Sequence, residues 1–242
     1  MSSGLYVALS AQVALERRLT SIANNVANAN TTGYRAEEVK FDSVLAAAGD
    51  GSVAFSSPGD SFISRRGGPV SHTGNPLDVA VQGDGWLAIS LPNGTTAYTR
   101  DGRLHMSATG ELKSVEGLSV LDPGGSPLLI DPTAGEVHIG DDGTITQNGK
   151  QVGALGLFAI PAGAQLDRAE NASVIPNVPA QPVEDLTANG VRQGYLEGAN
   201  INPVLEMSRL IEVTRAFDSA AQAVSQNKTA QQDAIRQLGP SS

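Results

Sequence analysis

The sequence contains no cysteine, and this absence excludes several kinds of chemistry at once. Without thiols, the chain has no disulfide framework, no thiolate metal site and no cysteine nucleophile. It also has no run of about 18 apolar residues that would span a bilayer, and no basic stretch followed by an apolar run near its start. We therefore expect no membrane insertion and no cleaved signal peptide.

Aromatic and charged residues are scarce as well. Aromatic side chains make up 4% of the 242 residues and charged ones 17%, whereas glycine occurs 27 times. Such a composition is typical of short strands and frequent turns around a modest core. The formal net charge is −9, and because an acidic chain repels phosphate backbones, nucleic acid is not an expected partner.

The most regular feature that is present is an apolar heptad pattern near the N-terminus. Apolar residues recur at steps of three and four from Leu5 to Ala29, with Gln12 as the polar interruption. This spacing predicts an amphipathic helix with an apolar seam. An asparagine-rich run begins at Asn24, and residues 31–33 (TTG) are a turn signal, so the helix is predicted to end there.

The C-terminal end carries a second helical pattern. Asn202 is a favoured N-cap residue and Pro203 suits the first helical position, while Gly239-Pro240 predicts the end of the helix. A helix over residues 203–238 would be about 54 Å long. Its predicted seam consists of Met207, Leu210, Thr214, Phe217, Ala221, Val224, Lys228, Gln231, Ile235 and Leu238.

Between the two ends, the sequence predicts a mainly β body. Short alternating runs are separated by turn signals, for example at residues 83–85, 93–94 and 101–102. This pattern favours an antiparallel body, sandwich-like or barrel-like, inserted between N- and C-terminal α-helices that form a coiled-coil or tube domain. The predicted strands are residues 77–81, 86–91, 95–99, 103–106, 111–114, 118–121, 128–130, 137–139, 144–147 and 152–160.

Two stretches and one aromatic residue complete the predicted layout. Residues 35–74 are irregular and are predicted to be an extended linker. Residues 161–190 contain four prolines and are likewise predicted to be an extended connection. Trp86 is the single tryptophan, and we predict that it anchors the core rather than recognising a ligand.

No motif for catalysis, a cofactor or a metal stands out. The Asp-Gly turns lack the spaced acidic ligands and terminal Glu of a calcium loop. Residues 143–150 have the wrong glycine spacing for a phosphate loop, and Gln151 stands where Ser or Thr is needed. The three histidines are isolated, which argues against a metal site or a catalytic triad. A β-fold hydrolase is not supported either, because the sequence contains no Gly-x-Ser-x-Gly elbow. We therefore expect no enzyme activity, no cofactor, no metal and no small-molecule substrate.

Neither terminal helix is expected to be stable alone. Burying five seam side chains of the first helix would contribute about 8–15 kcal/mol, whereas ordering about 25 backbone residues costs about 1–2 kcal/mol each. One intramolecular hairpin of the two helices is a possible solution. However, Leu9, Val13, Val204, Ile211 and Val213 lie beside or off the seams and should stay available. This surplus favours a bundle built from several chains, with ends that become ordered on assembly.

Four stretches of the chain are distinctive. They are residues 21–35 (SIANNVANANTTGYR), 77–86 (LDVAVQGDGW), 98–102 (YTRDG) and 193–202 (QGYLEGANIN), the last followed by apolar and charged positions at residues 206–217. In this order, the stretches resemble the signatures of flagellar rod and hook axial proteins. Within that family, the chain length and the opening residues 5–10 are most like those of a proximal rod member.

The resemblance implies a structural subunit of the bacterial flagellar basal-body rod. It implies export through the flagellar type III apparatus as an unfolded chain, without cleavage of a signal peptide, and assembly in the periplasm around a central channel. The expected partners are other flagellar rod proteins, copies of the same chain and the export apparatus. The implied domains are residues 1–34 and 196–242 as helices of an inner tube, 35–74 as a linker and 75–195 as an outer β domain.

The resemblance and the apolar pattern together predict which residues make subunit contacts. The asparagines at positions 24, 25 and 28 have two readings, as hydrogen-bonding groups between subunits or as capping groups at a frayed helix end. The predicted contact residues are Leu5, Leu9, Leu15, Leu19, Ile22, Asn24, Asn25, Val26, Asn28, Met207, Leu210, Ile211, Phe217, Val224, Ile235 and Leu238.

A second function class fits part of the pattern. A coiled-coil-stalked β module would present its body as an adhesin or a scaffold. A stalk of that kind places its coiled coil at one end of the chain, whereas here both termini carry a heptad seam around an inserted body. This layout favours the rod subunit, in which each chain contributes two helices to a common tube.

Overall fold

The computed structural model of the chain describes residues 2–40, 42–48, 51–57, 61–186 and 188–238. Within these ranges, side-chain burial is described except at residues 2–8, 42–48, 51–57, 227, 231 and 233–238. The chain forms two compact units, and each is discontinuous along the sequence. The helical unit comprises Met1–Ala27, Glu37–Phe62 and Asn202–Ser242, and the β unit comprises Asn28–Ala36 and Ile63–Ile201.

The helical unit contains both predicted helices. Helix α1 spans Ser2–Ala27 and helix α2 spans Pro203–Leu238. The strands of this region are β1 (Glu37–Val39), β2 (Asp42–Ala48), β3 (Gly51–Ser57) and β4 (Ser61–Ile63), whose last residue belongs to the β unit. Strands β1 and β4 pair with each other, as do β2 and β3.

The start of α2 follows the predicted cap chemistry. The Asn202 Oδ1 atom accepts hydrogen bonds from the backbone N–H groups of Val204 at 3.1 Å and Leu205 at 3.2 Å. The first intrahelical bond joins Glu206 N to Asn202 O at 3.0 Å. Because these bonds satisfy backbone donors that the helix itself leaves unpaired, the helix begins sharply at Pro203. The N-cap prediction is confirmed.

Helices α1 and α2 pack against each other within the helical unit. Ala14 and Ile22 of α1 and Val213 of α2 are buried. Val213 was expected to lie off the seam and stay available, and this prediction was wrong, since its side chain is only 3% exposed. Val213 lies one residue, and so about 100° around the helix, from the predicted seam position Thr214. The buried face of α2 runs through Leu210, Val213 and Phe217 rather than through Met207 and Thr214.

The irregular region after residue 35 contains an antiparallel hairpin. Strands β2 and β3 pair in continuous register from Asp42 opposite Ser57 to Ala48 opposite Gly51. Strand β3 also contacts α1 within the helical unit. These strands were not predicted, because alanine and serine have weak strand preference and show no clear alternation here.

The β unit accounts for the remaining strands. These are β5 (Val70–His72), β6 (Val79–Gln82), β7 (Gly85–Ser90), β8 (Thr96–Thr99), β9 (Leu104–Met106), β10 (Leu112–Ser114), β11 (Ser119–Val120), β12 (Val137–Ile139), β13 (Thr144–Gln147), β14 (Lys150–Ala154), β15 (Leu157–Ala159), β16 (Leu166–Arg168), β17 (Val174–Pro176), β18 (Gln181–Pro182), β19 (Gly190–Gln193) and β20 (Tyr195–Glu197).

The largest sheet of the β unit has nine strands. Its main path is β16-β17-β8-β7-β11-β10-β9, with β15 paired to β7 and β18 paired to β15. A three-stranded sheet β12-β13-β14 and the pairs β6-β19 and β5-β20 complete the unit. Every strand pair with a described register is antiparallel. The predicted fold class, mainly β with a helix at each end, is confirmed at this level.

Two apolar clusters form the core of the β unit. The larger one includes Val79, Leu87, Leu112 and Ile145, which come from four different strands. The second surrounds Trp86, which packs beside Tyr98 and Phe158. Trp86 is only 3% exposed, so the prediction that it anchors the core is confirmed.

Candidate assembly surface and a buried charge cluster

An exposed apolar stripe lies on the first turns of α2. Val204, Met207 and Ile211 follow one another at steps of three and four, so they share one helix face. Their side chains are 68%, 47% and 56% exposed. On α1, Leu9 and Val13 are also exposed. Exposed apolar residues that line up in this way are typical of a protein–protein contact surface.

The structure places the predicted contact residues in three environments. Ile22 and Asn25 are buried inside the chain. The side chains of Leu5, Ile235 and Leu238 lie outside the described residues. The exposed positions are Leu9, Asn24, Met207 and Ile211, and the half-buried ones are Leu15, Leu19, Val26, Asn28, Leu210, Phe217 and Val224.

Asn25 makes a paired contact with the backbone of its own chain. Its Nδ2 donates to the carbonyl oxygen of Glu37 at 2.9 Å, and its Oδ1 accepts from the N–H of Glu37 at 2.9 Å. Ser21 Oγ donates to the same carbonyl at 2.9 Å. The amide therefore pairs with Glu37 as a neighbouring strand residue would, and joins α1 to the start of β1.

Four residues of the β unit form a buried charge cluster, which we call the Glu197 cluster: Arg35, Trp86, Arg100 and Glu197. Arg35 Nη1 lies 2.6 Å from Glu197 Oε1, and Arg100 Nη1 lies 3.3 Å from Glu197 Oε2. The three charged side chains are each at most 4% exposed. One carboxylate thus bridges two guanidinium groups in the interior of the unit.

The Trp86 ring is the apolar wall of this cluster. The guanidinium carbons of Arg35 and Arg100 lie 5.7 Å and 5.3 Å from the ring centroid, within the range of cation–π contacts. Burial, together with repulsion from Arg35, lowers the pKa of Arg100 to about 10, although the Glu197 carboxylate opposes this shift. The cluster therefore holds positive charge at an electrostatic cost.

Glu197 also fixes the backbone around the cluster. Its Oε1 accepts from the N–H of Gly68 at 2.7 Å, and its carbonyl oxygen accepts from the N–H of Gly33 at 2.7 Å. Three residues further on, Asn200 Oδ1 accepts from the N–H of Ala36 at 2.7 Å. The stretch that follows α1 is therefore bonded to the stretch that precedes α2, entirely within the β unit.

The distinctive sequence stretches meet at this cluster. Each contributes one member, Arg35 from the first, Trp86 from the second, Arg100 from the third and Glu197 from the fourth. The cluster was not predicted from the sequence. Three of the stretches contain one of its charged members, Arg35, Arg100 or Glu197, but spacing along the chain does not show that these side chains are neighbours in space.

A groove of about 460 Å³ lies along α1 in the helical unit. Its lining includes Val13, Glu16 and Arg17 of α1 together with Val39 of β1.

In the part of the chain that the structure describes, no group of three or more His, Cys, Asp or Glu side chains is placed to hold a metal ion. Neither helix, over its described residues, is long and apolar enough to cross a membrane.

Three protein-family models match the chain, and together they cover its two ends and much of its body. "Flagella basal body rod protein" matches residues 5–35. "Flagellar hook protein FlgE/F/G D1 domain" matches residues 80–147. "Flagellar basal body rod FlgEFG protein C-terminal" matches residues 192–237.

Curated relatives are similar over the full chain. A protein of Mesorhizobium japonicum named flagellar basal-body rod protein FlgF is 48% identical over 242 residues, which is 100% of both chains. Proteins of the same name from Rhizobium meliloti and Caulobacter vibrioides are 45% identical over 241 residues and 35% identical over 244 residues. They cover 100% and 99% of both chains respectively.

Proposed function

The chain belongs to the family of flagellar basal-body rod proteins, and from this premise we propose that it is a structural subunit of the proximal rod. The observation that carries the proposal is the full-length identity of 48% and 45% to proteins named FlgF. The resemblance drawn from the four sequence stretches is thereby confirmed. The chain is a structural protein of the flagellar basal body rather than an enzyme.

Within this function, the terminal helices are proposed to make the subunit contacts. The support is the exposed stripe of Val204, Met207 and Ile211, together with Leu9 and Val13 on α1. A contact between two different surfaces of identical chains produces a helical polymer when its rotation does not close into a ring. The half-buried seam residues, such as Phe217 and Val224, are proposed to lose their remaining exposure in the same contacts.

The finer organisation follows the family resemblance and is part of the proposal. Helices α1 (Ser2–Ala27) and α2 (Pro203–Leu238) contribute to the inner tube around the export channel, and the β unit forms the outer domain. The helices become fully ordered on assembly. The subunit leaves the cytoplasm unfolded through the flagellar export apparatus, without loss of a signal peptide, and joins other rod proteins and copies of itself in the periplasm. There the polymer transmits torque.

The adhesin or scaffold alternative has no support from the relatives. The three family models and the curated relatives reported above all carry flagellar rod or hook names. A body displayed on a stalk would also leave the second helical end without a role. We therefore retain one functional class, the rod subunit.

The test replaces the apolar stripe with charge. We expect the variant Met207→Lys with Ile211→Lys to fold and be exported, but to be missing from purified basal bodies, with loss of swimming. The matched control is Val115→Lys with Leu129→Lys, which changes exposed apolar residues of the β unit and should leave swimming intact. A stripe variant that assembles and swims like the wild type would refute assembly through this face.

Deletion of the gene tests the function itself. We expect loss of swimming and truncated or absent rods, and recovery of both on re-expression of the wild-type chain. Mass spectrometry of wild-type basal bodies should detect the chain. Normal swimming of the deletion strain, with no chain in the basal body, would remove the rod assignment.

A further inference from the structure

The Glu197 cluster contains more positive than negative charge, and this imbalance gives Glu197 a specific role. Two guanidinium groups share one bridging carboxylate in the interior of the β unit. The nearby Asp84 carboxylate also favours the charged form of Arg100, but Asp84 is exposed. Removing one partner of a buried ion pair is strongly destabilising, because the remaining charge stays buried without compensation.

The remaining contacts of the two guanidiniums are neutral. Arg35 Nη1 donates to the carbonyl of Arg66 at 2.6 Å. Arg100 donates to the carbonyls of Val81 at 3.1 Å and Gly83 at 2.6 Å. Among the described residues, the Nε atoms of both side chains have no hydrogen-bond acceptor. Carbonyl oxygens solvate a guanidinium but do not neutralise it, so Glu197 supplies the counter-charge that closes the cluster.

The position of Glu197 along the chain is equally informative. Arg35 precedes it by 162 residues, and Trp86 and Arg100 lie between them. Strands β5 to β19 of the β unit all precede it, and Glu197 is the last residue of β20. A chain that appears from its N-terminus therefore presents both arginines and nearly all strands of the unit before it presents the counter-charge.

We propose that the core of the β unit folds only once Glu197, in the fourth distinctive stretch, supplies the counter-charge to Arg35 and Arg100. We call this folding step closure of the β unit. Before Glu197 is in place, folding the core over Arg35 and Arg100 would bury two uncompensated cations next to Trp86. The open state is then favoured. Once Glu197 pairs with both arginines, the same core closes. This inference concerns folding and does not rest on the proposed function.

The chain carries its own probe for this closure. Trp86 is the single tryptophan and belongs to the cluster. Its fluorescence therefore reports on the β unit during urea unfolding of the full-length chain. We expect Glu197→Gln, which keeps the shape and removes the charge, to lower the folding equilibrium constant at least about a hundredfold. The control is Glu206→Gln, which removes the Glu206–Arg209 ion pair of α2 in the helical unit, where the glutamate is also buried, and should leave the Trp86 transition unchanged.

The effect of Arg100→Met on stability should change sign between the wild type and the Glu197→Gln variant, and this distinguishes a charge effect from a packing effect. Arg100→Met should destabilise the wild-type chain, because the carbonyls of Val81 and Gly83 lose their donor. In the Glu197→Gln background the same substitution should stabilise the chain at least about tenfold, because it removes an uncompensated cation. An osmolyte such as trimethylamine oxide stabilises the folded state, so that the unfolding transition of weakly folded variants can still be measured. A Glu197→Gln variant within twofold of the wild type, or an Arg100→Met substitution that destabilises both backgrounds, overturns the proposal.

Refolding kinetics test the order of events. If closure waits for Glu197, the loss in Glu197→Gln must appear in the refolding rate, which should fall at least about tenfold by Trp86 fluorescence. A loss confined to faster unfolding would show that Glu197 pairs after closure, and would overturn the conditional step. The rod assignment would be unaffected, because it is tested by basal-body composition and swimming.

Discussion

Gly33 illustrates how one residue without a side chain supports the charged interior of the β unit. Its backbone has φ +69°, and a Cβ at this position would lie 2.3 Å from the carbonyl carbon of Arg100 and from the backbone nitrogen of Asp101. Its N–H donates to the carbonyl of Glu197. The turn that ends the first distinctive stretch therefore needs glycine for two independent reasons, conformation and space.

Alanine substitutions at Gly33 and Gly94 should separate the effect of the left-handed conformation from that of the close approach. We expect Gly33→Ala to lower the free energy of unfolding of the β unit by about 2–5 kcal/mol, from the left-handed conformation and the clash together. Gly94→Ala is the matched control, since Gly94 has φ +80° with nothing within 4 Å of its would-be Cβ. It should cost only about 1–2 kcal/mol. Equal losses in urea titrations followed by Trp86 fluorescence would contradict the close approach.

Asp142 provides a pH-dependent contact in the turn between β12 and β13. Its carboxylate accepts from the N–H of Thr144 at 2.9 Å and from the Thr144 hydroxyl at 2.7 Å. These bonds hold the pKa of Asp142 below its usual value of 3.8. Because the folded pKa is depressed, the bonds contribute stability above the unfolded pKa, and this contribution is lost as the pH falls through the folded pKa.

Removal of the Thr144 hydroxyl should move this titration. We expect Thr144→Val to raise the pKa of Asp142 toward 3.8 and to shrink the part of the acid unfolding that Asp142 contributes, as seen by carbon-13 NMR of its carboxyl group. Thr146→Val is the control, because the Thr146 hydroxyl donates to the carbonyl of His138 instead. An Asp142 titration that is the same in both variants would refute the assignment.

At the scale of secondary structure, the link between α1 and β1 depends mainly on one side-chain amide. Asn25 pairs with both the N–H and the carbonyl of Glu37, so Asn25→Leu would leave the N–H without its acceptor, while the carbonyl would keep the Ser21 hydroxyl. We expect a loss of about 1–3 kcal/mol in the free energy of unfolding, measured by the helical circular dichroism signal. Ala23→Leu introduces the same side chain at an exposed position of α1 and should stay within about 0.5 kcal/mol. Similar losses in both variants would contradict the pairing.

Strands and helices were predictable where turn and capping residues mark their ends. Strands β7 to β13 lie between glycine turns and were predicted within one or two residues, as were the ends of α2, which have an Asn-Pro start and a Gly-Pro stop. Strands β16 to β18 were missed because the four prolines of residues 161–190 suggested an extended connection. Pro176 and Pro182 in fact occupy the last positions of β17 and β18, and β18 is an edge strand, which tolerates proline.

Helix faces and long-range clusters were less accessible from the sequence. The seam of α2 was predicted around Thr214, whereas Val213 is the buried residue, because a one-residue shift turns the helix face by about 100°. The Glu197 cluster joins residues that are up to 162 positions apart. No local rule relates such residues, and only the tertiary structure brings their charges together.

At the scale of the whole molecule, the two compact units should respond separately to core substitutions. Val213→Asp places a charge in the buried face of α2 and should abolish most of the helical circular dichroism signal, while the Trp86 fluorescence transition stays within about 0.5 kcal/mol of the wild type. Leu112→Asp changes the core of the β unit and should have the reverse effect. Loss of both signals in one transition in either variant would contradict two units.

The discontinuous composition of the β unit has a practical consequence for dissecting the chain. A single cut cannot release this unit, because Asn28–Ala36 and Ile63–Ile201 are separated by a stretch that belongs to the helical unit. The two segments meet at a backbone hydrogen bond from Ser64 N to Ala36 O, 2.8 Å long. A chain that starts at residue 28, ends at residue 201 and joins Ala36 to Ile63 through a short linker would therefore contain the β unit alone. Conversely, residues 37–62 could be replaced by a hairpin from another protein between the same two positions.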